Sequence, residues 1–153
     1  MSPELNQLRL EQLQASLSAY SPLVARKAPA RGWLKLIRES LGLTQRQQAQ
    51  RLGISGPTLH KSEQAESDER ISLGHLRKLA DGLDCELVYA LVPRRPLTEV
   101  VHERARAIAL EEVDSVVHTM SLEDQRPAEA RSSKQVERRA EELLRGRWSD
   151  LWR

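Results

Sequence analysis

Residues 43–63 read Leu-Thr-Gln-Arg-Gln-Gln-Ala-Gln-Arg-Leu-Gly-Ile-Ser-Gly-Pro-Thr-Leu-His-Lys-Ser-Glu. The residues predict two short helices joined by a tight turn. Thr44 can cap the first helix, because its hydroxyl can accept a bond from an orphan amide of the first turn. Ala49 and Leu52 give that helix a narrow apolar face. Gly53 falls just past its end, where a left-handed conformation is least strained in glycine. Ile54 is an apolar plug in the turn. Ser55 can cap a second helix, Pro57 lies in its first turn where a missing amide costs little, and Leu59 is its main apolar anchor. Helix, glycine-containing turn, helix is the arrangement that lays a second helix in the major groove of DNA.

Around this stretch, 153 residues leave room for one domain plus extensions. Phe is absent and aromatics total 3%, so the core must be Leu, Val, Ile and Ala, and the tryptophans Trp33, Trp148 and Trp152 stand out as anchors. A formal net charge of +2 is too mild to identify a nucleic-acid binder. The charge is uneven, however. Residues 22–31 hold Arg26, Lys27 and Arg31 with no acid, whereas residues 111–124 hold Glu111, Glu112, Asp114, Glu123 and Asp124 with no base. The acidic run suits a solvated face or a basic protein partner. The single cysteine, Cys85, excludes an intramolecular disulfide and a Cys-cluster zinc site. The N-terminus lacks an apolar signal segment, and no apolar run approaches the ~18 residues of a membrane span, so the expected location is cytoplasmic.

Taken in order, residues 4–20 space Leu10, Leu13, Leu17 and Tyr20 as an amphipathic helix that must pack on its own domain, a dimer mate or a partner. Residues 22–32 form a basic linker, a solvated tether or an arm for DNA phosphates and the minor groove through Arg26, Lys27 and Arg31. Residues 33–41 predict a scaffold helix with Trp33, Leu34, Ile37 and Leu41 on one stripe. Residues 64–70 read as a polar loop, and Ser72 caps a helix over 73–83 with Leu73, Leu76, Leu79, Ala80 and Leu83 inward. Residues 86–92 break the helical period and read as a β-strand, with a fifth helix as the alternative. A lone strand leaves its backbone unpaired. The simplest remedy is a two-stranded sheet with a second chain, through Leu87, Val88, Tyr89, Ala90 and Leu91. Thr98 can cap a long helix over 99–120, and Ser132 with Gln135 resembles a capping box opening a last helix over 133–145. Trp148 and Trp152 then dock back on the fold or present a hot spot to another protein. The expected domains are thus 1–21, 22–32, 33–93 and a helical extension 94–153.

Catalytic patterns are missing. His60, His75, His102 and His118 are scattered, and neither a Gly-rich phosphate loop nor a nucleophile elbow is present. The expectation is a non-enzyme with no cofactor and no metal. Residues 44–63 instead offer candidate DNA contacts: Thr44 at the start of the first helix, Gln45 and Arg46 toward phosphate, and Ser55, Gly56, Pro57, Thr58, His60 and Lys61 along the second helix, Lys61 toward a guanine or a phosphate. Gly56 and Pro57 can offer only apolar contact, for example with a thymine methyl.

Residues 33–83 resemble the lambda-repressor/Cro class of XRE-type helix-turn-helix domains. Thr44-Gln45, Ala49, Leu52 through Ser55, Thr58-Leu59 and Glu63 match its pattern. Gln48 and Ser62 depart from it, since that class usually has apolar residues there. Both should face the interior, lie near each other and share polar contacts. A wider resemblance is to the family called mobile mystery protein A. It is carried by Arg31 through Trp33, Ile37 through Glu39, Leu83 through Pro93, His118 through Met120 and Leu122 through Gln125. That resemblance implies a gene pair with mobile mystery protein B, a Fic-domain protein, in a toxin–antitoxin-like arrangement. This chain would be its DNA-binding, antitoxin-like member. Some Fic antitoxins inhibit through Ser/Thr-x-x-x-Glu-Gly/Asn. Ser62 to Glu66, Thr119 to Glu123 and Ser133 to Glu137 match loosely, none followed by Gly or Asn.

The expected fold is therefore mainly α: a lambda-repressor-like bundle with one short strand pairing across a dimer, and flanking N- and C-terminal helices. The expected function is a homodimeric regulator of a palindromic operator that represses its own gene pair with a Fic-domain toxin. The rival is a protein-binding adaptor that uses the terminal helices. Its partner-binding residues would be Thr119, Glu123, Asp124, Trp148 and Trp152.

Overall fold

A computed structural model describes residues 2–121 and 129–153. Among them run α1 (Pro3–Ser18), α2 (Trp33–Ser40), α3 (Gln45–Leu52), α4 (Gly56–Ser67), α5 (Leu73–Asp81), α6 (Leu97–Ser121) and α7 (Glu129–Arg145), with short 3₁₀ turns at Ser21–Ala25 and Trp148–Trp152. The chain divides into two compact units. One is Pro22–Ala90; the other joins Met1–Ser21 to Leu91–Arg153.

In the unit Pro22–Ala90, α2 to α5 close over Leu34, Ala49, Leu59, Leu79 and Leu83, with Ile37, Leu52, Ile54, Ile71 and Leu76 packed alongside. Each local signal of the motif is realised. Thr44 and Gln47 form a reciprocal capping box: the Gln47 amide donates to Thr44 Oγ1 at 3.2 Å, and the Thr44 amide to Gln47 Oε1 at 2.9 Å. Gly53 ends α3 at φ +66°. Ser55 Oγ accepts the Thr58 amide at 3.2 Å, and Ser72 Oγ the His75 amide at 3.1 Å.

The expected loop over 64–70 is mostly helix, since α4 continues to Ser67. Its polar residues have partners that polarity alone does not reveal. The Glu66 carboxylate reaches α2 and accepts the Trp33 and Leu34 amides at 2.8 and 2.9 Å. It thereby satisfies a helix N-terminus whose N-cap, Gly32, has no side chain. Asp68 follows α4. Hydrogen bonds from Arg70 and Gln64 hold its carboxyl below the usual 3.8, so their small contribution is present above that pH and fades below it.

Gly32 is required at its position. Its φ is +83°, and an added Cβ would lie 2.7 Å from Glu66 Oε2. Gly32→Ala is expected to destabilise the protein by about 1–3 kcal/mol, through left-handed strain and displacement of the Glu66 cap. Gly56→Ala, with open space around it, should cost no stability. Urea unfolding of the two variants checks the contrast.

Three apolar residues expected inside lie largely outside: Trp33 is 52% exposed, Leu41 59% and Leu73 46%. Trp33 and Leu73 each begin a helix, and Leu41 follows the end of one. Helix ends overhang a bundle this short. Residues 85–93 form neither the expected strand nor the fifth helix among the described residues. A strand exists only against a partner strand, and the described residues supply none. Leu83, Cys85 and Leu87 turn toward the unit's apolar side, whereas Val88, Tyr89 and Leu91 are exposed.

In the other unit, α6 and α7 pack through Val101, Ala105, Ala109, Val136 and Ala140, together with Leu151 from the C-terminal turn. The alanines at 105 and 109, both fully buried, let helix backbones approach closely. Ion pairs Arg139–Glu112 (2.5 Å) and Arg106–Glu137 (3.0 Å) flank the seam. The hydrogen bonds with Glu112 and Glu142 push the Arg139 pKa up. Helix α1 packs in cis: Leu10 joins this core, and Gln14 Oε1 accepts the Leu97 amide at 2.8 Å. That bond explains why α6 starts at Leu97 rather than after Thr98, since the carbonyl that satisfies it comes from α1. Helix α7 starts at Glu129, ahead of the expected cap at Ser132. No described helix is long and apolar enough to cross a membrane.

Candidate nucleic-acid interface

The buried centre of the motif is ionic. Arg38 of α2 is 5% exposed and Glu63 of α4 is 4% exposed. Arg38 Nε and Nη2 donate to the two Glu63 oxygens at 2.6 and 3.2 Å, and Nη1 donates to the Leu43 carbonyl at 2.7 Å. This two-pronged bond raises the Arg38 pKa against the opposing desolvation. Burying either charge alone would be costly; paired, each satisfies the other. The pair also joins α2, the turn before α3, and α4.

Glu63 has a further task. Gln45, at the first position of α3, donates from Nε2 to Glu63 Oε2 at 3.1 Å, and the same nitrogen lies 3.1 Å from His60 Nδ1. The amide that the sequence assigns to a phosphate is therefore held from behind by a buried carboxylate. It is tied to the outer face of α4 at His60. Thr44 is spent on capping, while Arg46 is exposed on the first turn of α3.

Along α4, Ser55 is the cap and its Oγ lies 2.7 Å from Thr58 Oγ1. Leu59, Ser62 and Glu63 turn inward, and Pro57, Thr58, His60 and Lys61 outward, with Gly56 half-buried. The outward set is one continuous helix face beginning at a capped N-terminus. That is the geometry a major-groove reader presents.

Residues 34–89 match the family model described as helix-turn-helix. The match supports an XRE-type helix-turn-helix in this part of the chain, and with it a DNA-binding regulator. Comparisons with curated proteins and with solved structures returned no match.

Both departures of this helix-turn-helix from its class face inward as expected: Gln48 is 2% exposed and Ser62 6%. They find separate partners rather than each other. Gln48 Nε2 donates to the Gly82 carbonyl at 3.1 Å, and Ser62 bonds the Thr58 carbonyl at 3.0 Å and His75 Nε2 at 2.9 Å. Gln48 Oε1 is buried without a partner. Gln48→Leu should therefore be near neutral, or stabilising by about 1 kcal/mol, in thermal unfolding.

The remaining candidates lie as follows. Arg26, Lys27 and Arg31 are exposed. In the segment assigned to dimerisation, Val88, Tyr89 and Leu91 are 67%, 60% and 83% exposed, and Leu87 and Ala90 are half-buried. Thr119 donates to the Ser115 carbonyl at 3.0 Å, while Glu123 and Asp124 lie outside the described residues. Trp148 is half-buried, with Nε1 donating to the Leu144 carbonyl at 2.8 Å, and Trp152 is 57% exposed. Two of the loose inhibitory matches are engaged within the fold: Glu66 caps α2, and Glu137 pairs with Arg106. Among the described residues, no group of three or more His, Cys, Asp or Glu could hold a metal.

Arg38, Glu66 and His75 are structural parts of the site that sequence reasoning did not assign. The signal for Arg38 was its place on the inward stripe of α2, four residues after Leu34.

Proposed function

We propose that the chain is a homodimeric repressor that binds a palindromic operator at its own gene pair and is the antitoxin-like partner of a Fic-domain protein. The observation that supports the DNA-reading part most directly is the open face of α4 beside a Gln45 braced by Glu63. The dimer is supported by residues 86–92: a largely apolar segment with two valines that is mostly exposed and has no strand partner among the described residues. The Fic partner rests on the resemblance carried by the motifs around Trp33 and residues 83–93. The reading places the protein in the cytoplasm and gives it no catalytic step, cofactor or metal.

Gel-shift against the duplex upstream of the chain's own gene tests it, and equal binding to an unrelated duplex at physiological salt would reject it. Lys61→Ala should weaken specific binding by about 1–3 kcal/mol and relax specificity at one base. Arg46→Ala should weaken all sequences alike and flatten the salt dependence. Val88→Pro, which removes one strand donor, should shift the chain toward monomer in light scattering.

A second reading, a protein-binding adaptor, is favoured by a groove between α1 and α7. Leu8, Leu144 and Trp148 floor it, and Glu4, Glu11 and Glu141 rim it. Leu8→Arg would then abolish neutralisation of a co-expressed Fic protein and leave operator binding intact.

A further inference from the structure

The reading helix is continuous with a second feature that the motif does not account for. A cleft of about 270 Å³ opens in the unit Pro22–Ala90, lined by Arg31, Lys35, His60, Glu63, Gln64 and Ser67. Arg31 ends the basic arm just before α2, and Lys35 lies in the first turn of α2. His60, Gln64 and Ser67 follow one another at helical spacing on a single face of α4. Three elements of the fold thus contribute to one concavity.

Its two cations are unpaired. Among the described residues neither Arg31 nor Lys35 pairs with a carboxylate. The one acid in the lining, Glu63, is held by Arg38 at 2.6 Å. The nearby Glu66 is occupied by the two amides of α2. What faces the cleft is therefore two free cations, an imidazole, the Gln64 amide and the Ser67 hydroxyl. Gln64 now donates to Asp68 at 3.2 Å from an exposed position, where it can turn inward. Two unpaired cations lining one cleft with neutral donors suit a phosphate oxyanion. Arg31 can grip it with two prongs, and Lys35 serves as a point charge.

We propose that this cleft seats one backbone phosphate of the bound duplex, clamped by Arg31 and Lys35 and steadied by Gln64 and Ser67. The interface then extends past α4 onto α2 and the arm. Arg31 acts as a phosphate clamp rather than a minor-groove probe. The inference rests on the DNA-binding reading above.

The test measures dissociation constants for the full chain across a salt series, on the upstream duplex and on an unrelated duplex. Lys35→Ala and Arg31→Ala should each lower affinity several-fold on both duplexes and make the slope of log K against log salt shallower by about 0.9. Lys35→Arg should restore the slope. Arg138→Ala, an exposed cation in the other unit, should leave it unchanged. A wild-type chain without preference for its own upstream duplex overturns the DNA reading, and the cleft assignment with it. Wild-type preference with an unchanged slope for Lys35→Ala overturns the cleft alone. So does an equal slope change for Arg138→Ala, which would mark a general charge effect. Unchanged thermal unfolding of Lys35→Ala shows that any loss arises at the cleft.

Discussion

Glu63→Ala is expected to remove about 3–5 kcal/mol of stability, because it strands a buried guanidinium. Arg38 is 5% exposed, and both its bonds to Glu63 would vanish while its charge stayed inside. Without Glu63 the main cause that raises the Arg38 pKa is gone and burial pushes it down, yet a guanidinium is too basic to shed its proton at neutral pH. In the wild type the stability from this raised cation is present throughout the range below the ordinary arginine pKa and is lost only above the still higher folded value. A domain of this size has a total stability of about 5–15 kcal/mol, so the variant should unfold near physiological temperature. Gln45 would also lose the carboxylate that holds it, so DNA binding should fall even where the fold survives. Replacing both partners, Arg38→Met with Glu63→Leu, should recover most of the stability and little of the binding. Urea unfolding and gel-shift on both variants check this. Equal stability of Glu63→Ala and the wild type would show that the pair contributes nothing.

Leu151→Ala is expected to cost about 2–5 kcal/mol in the unit built from α1, α6 and α7. Leu151 is 1% exposed, packs with Val101, Ala105, Ala109, Val136 and Ala140, and its carbonyl accepts a bond from Arg104 Nε at 2.5 Å. Its removal leaves a cavity among Val101, Val136 and three alanines that they can fill only in part. Trp152→Ala, one residue on and 57% exposed, should change stability by less than about 1 kcal/mol. The pair therefore separates the tryptophan's two expected roles: a neutral Trp152→Ala that lost partner binding would assign it to recognition. Comparable losses for both variants would contradict the packing described.

The motif was legible because its signals are local. A cap acts over three residues and a turn glycine over one, and the neighbours that each needs are adjacent in the chain. Thr44 with Gln47, Gly53, Ser55 and Ser72 therefore stand where the sequence places them. The inward phase of Gln48 and Ser62 was legible too, since a helix period that buries Ala49 and Leu59 buries them as well. Their partners were not: Gly82 and His75 lie 34 and 13 residues away.

Determined by sequence alone, then, are the helix-turn-helix, its caps and the outward face of α4. The tertiary structure decided what long-range bonds decide. Glu66 extends α4 by capping α2 across 32 residues, and Gln14 sets the start of α6 across 83. Arg38 is buried because Glu63 meets it. Residues 85–93 form no strand because sheet bonds need a partner that the described residues do not contain. Propensity is a property of neighbours along the chain, whereas a buried charge, a borrowed cap or a strand is a property of what arrives from elsewhere.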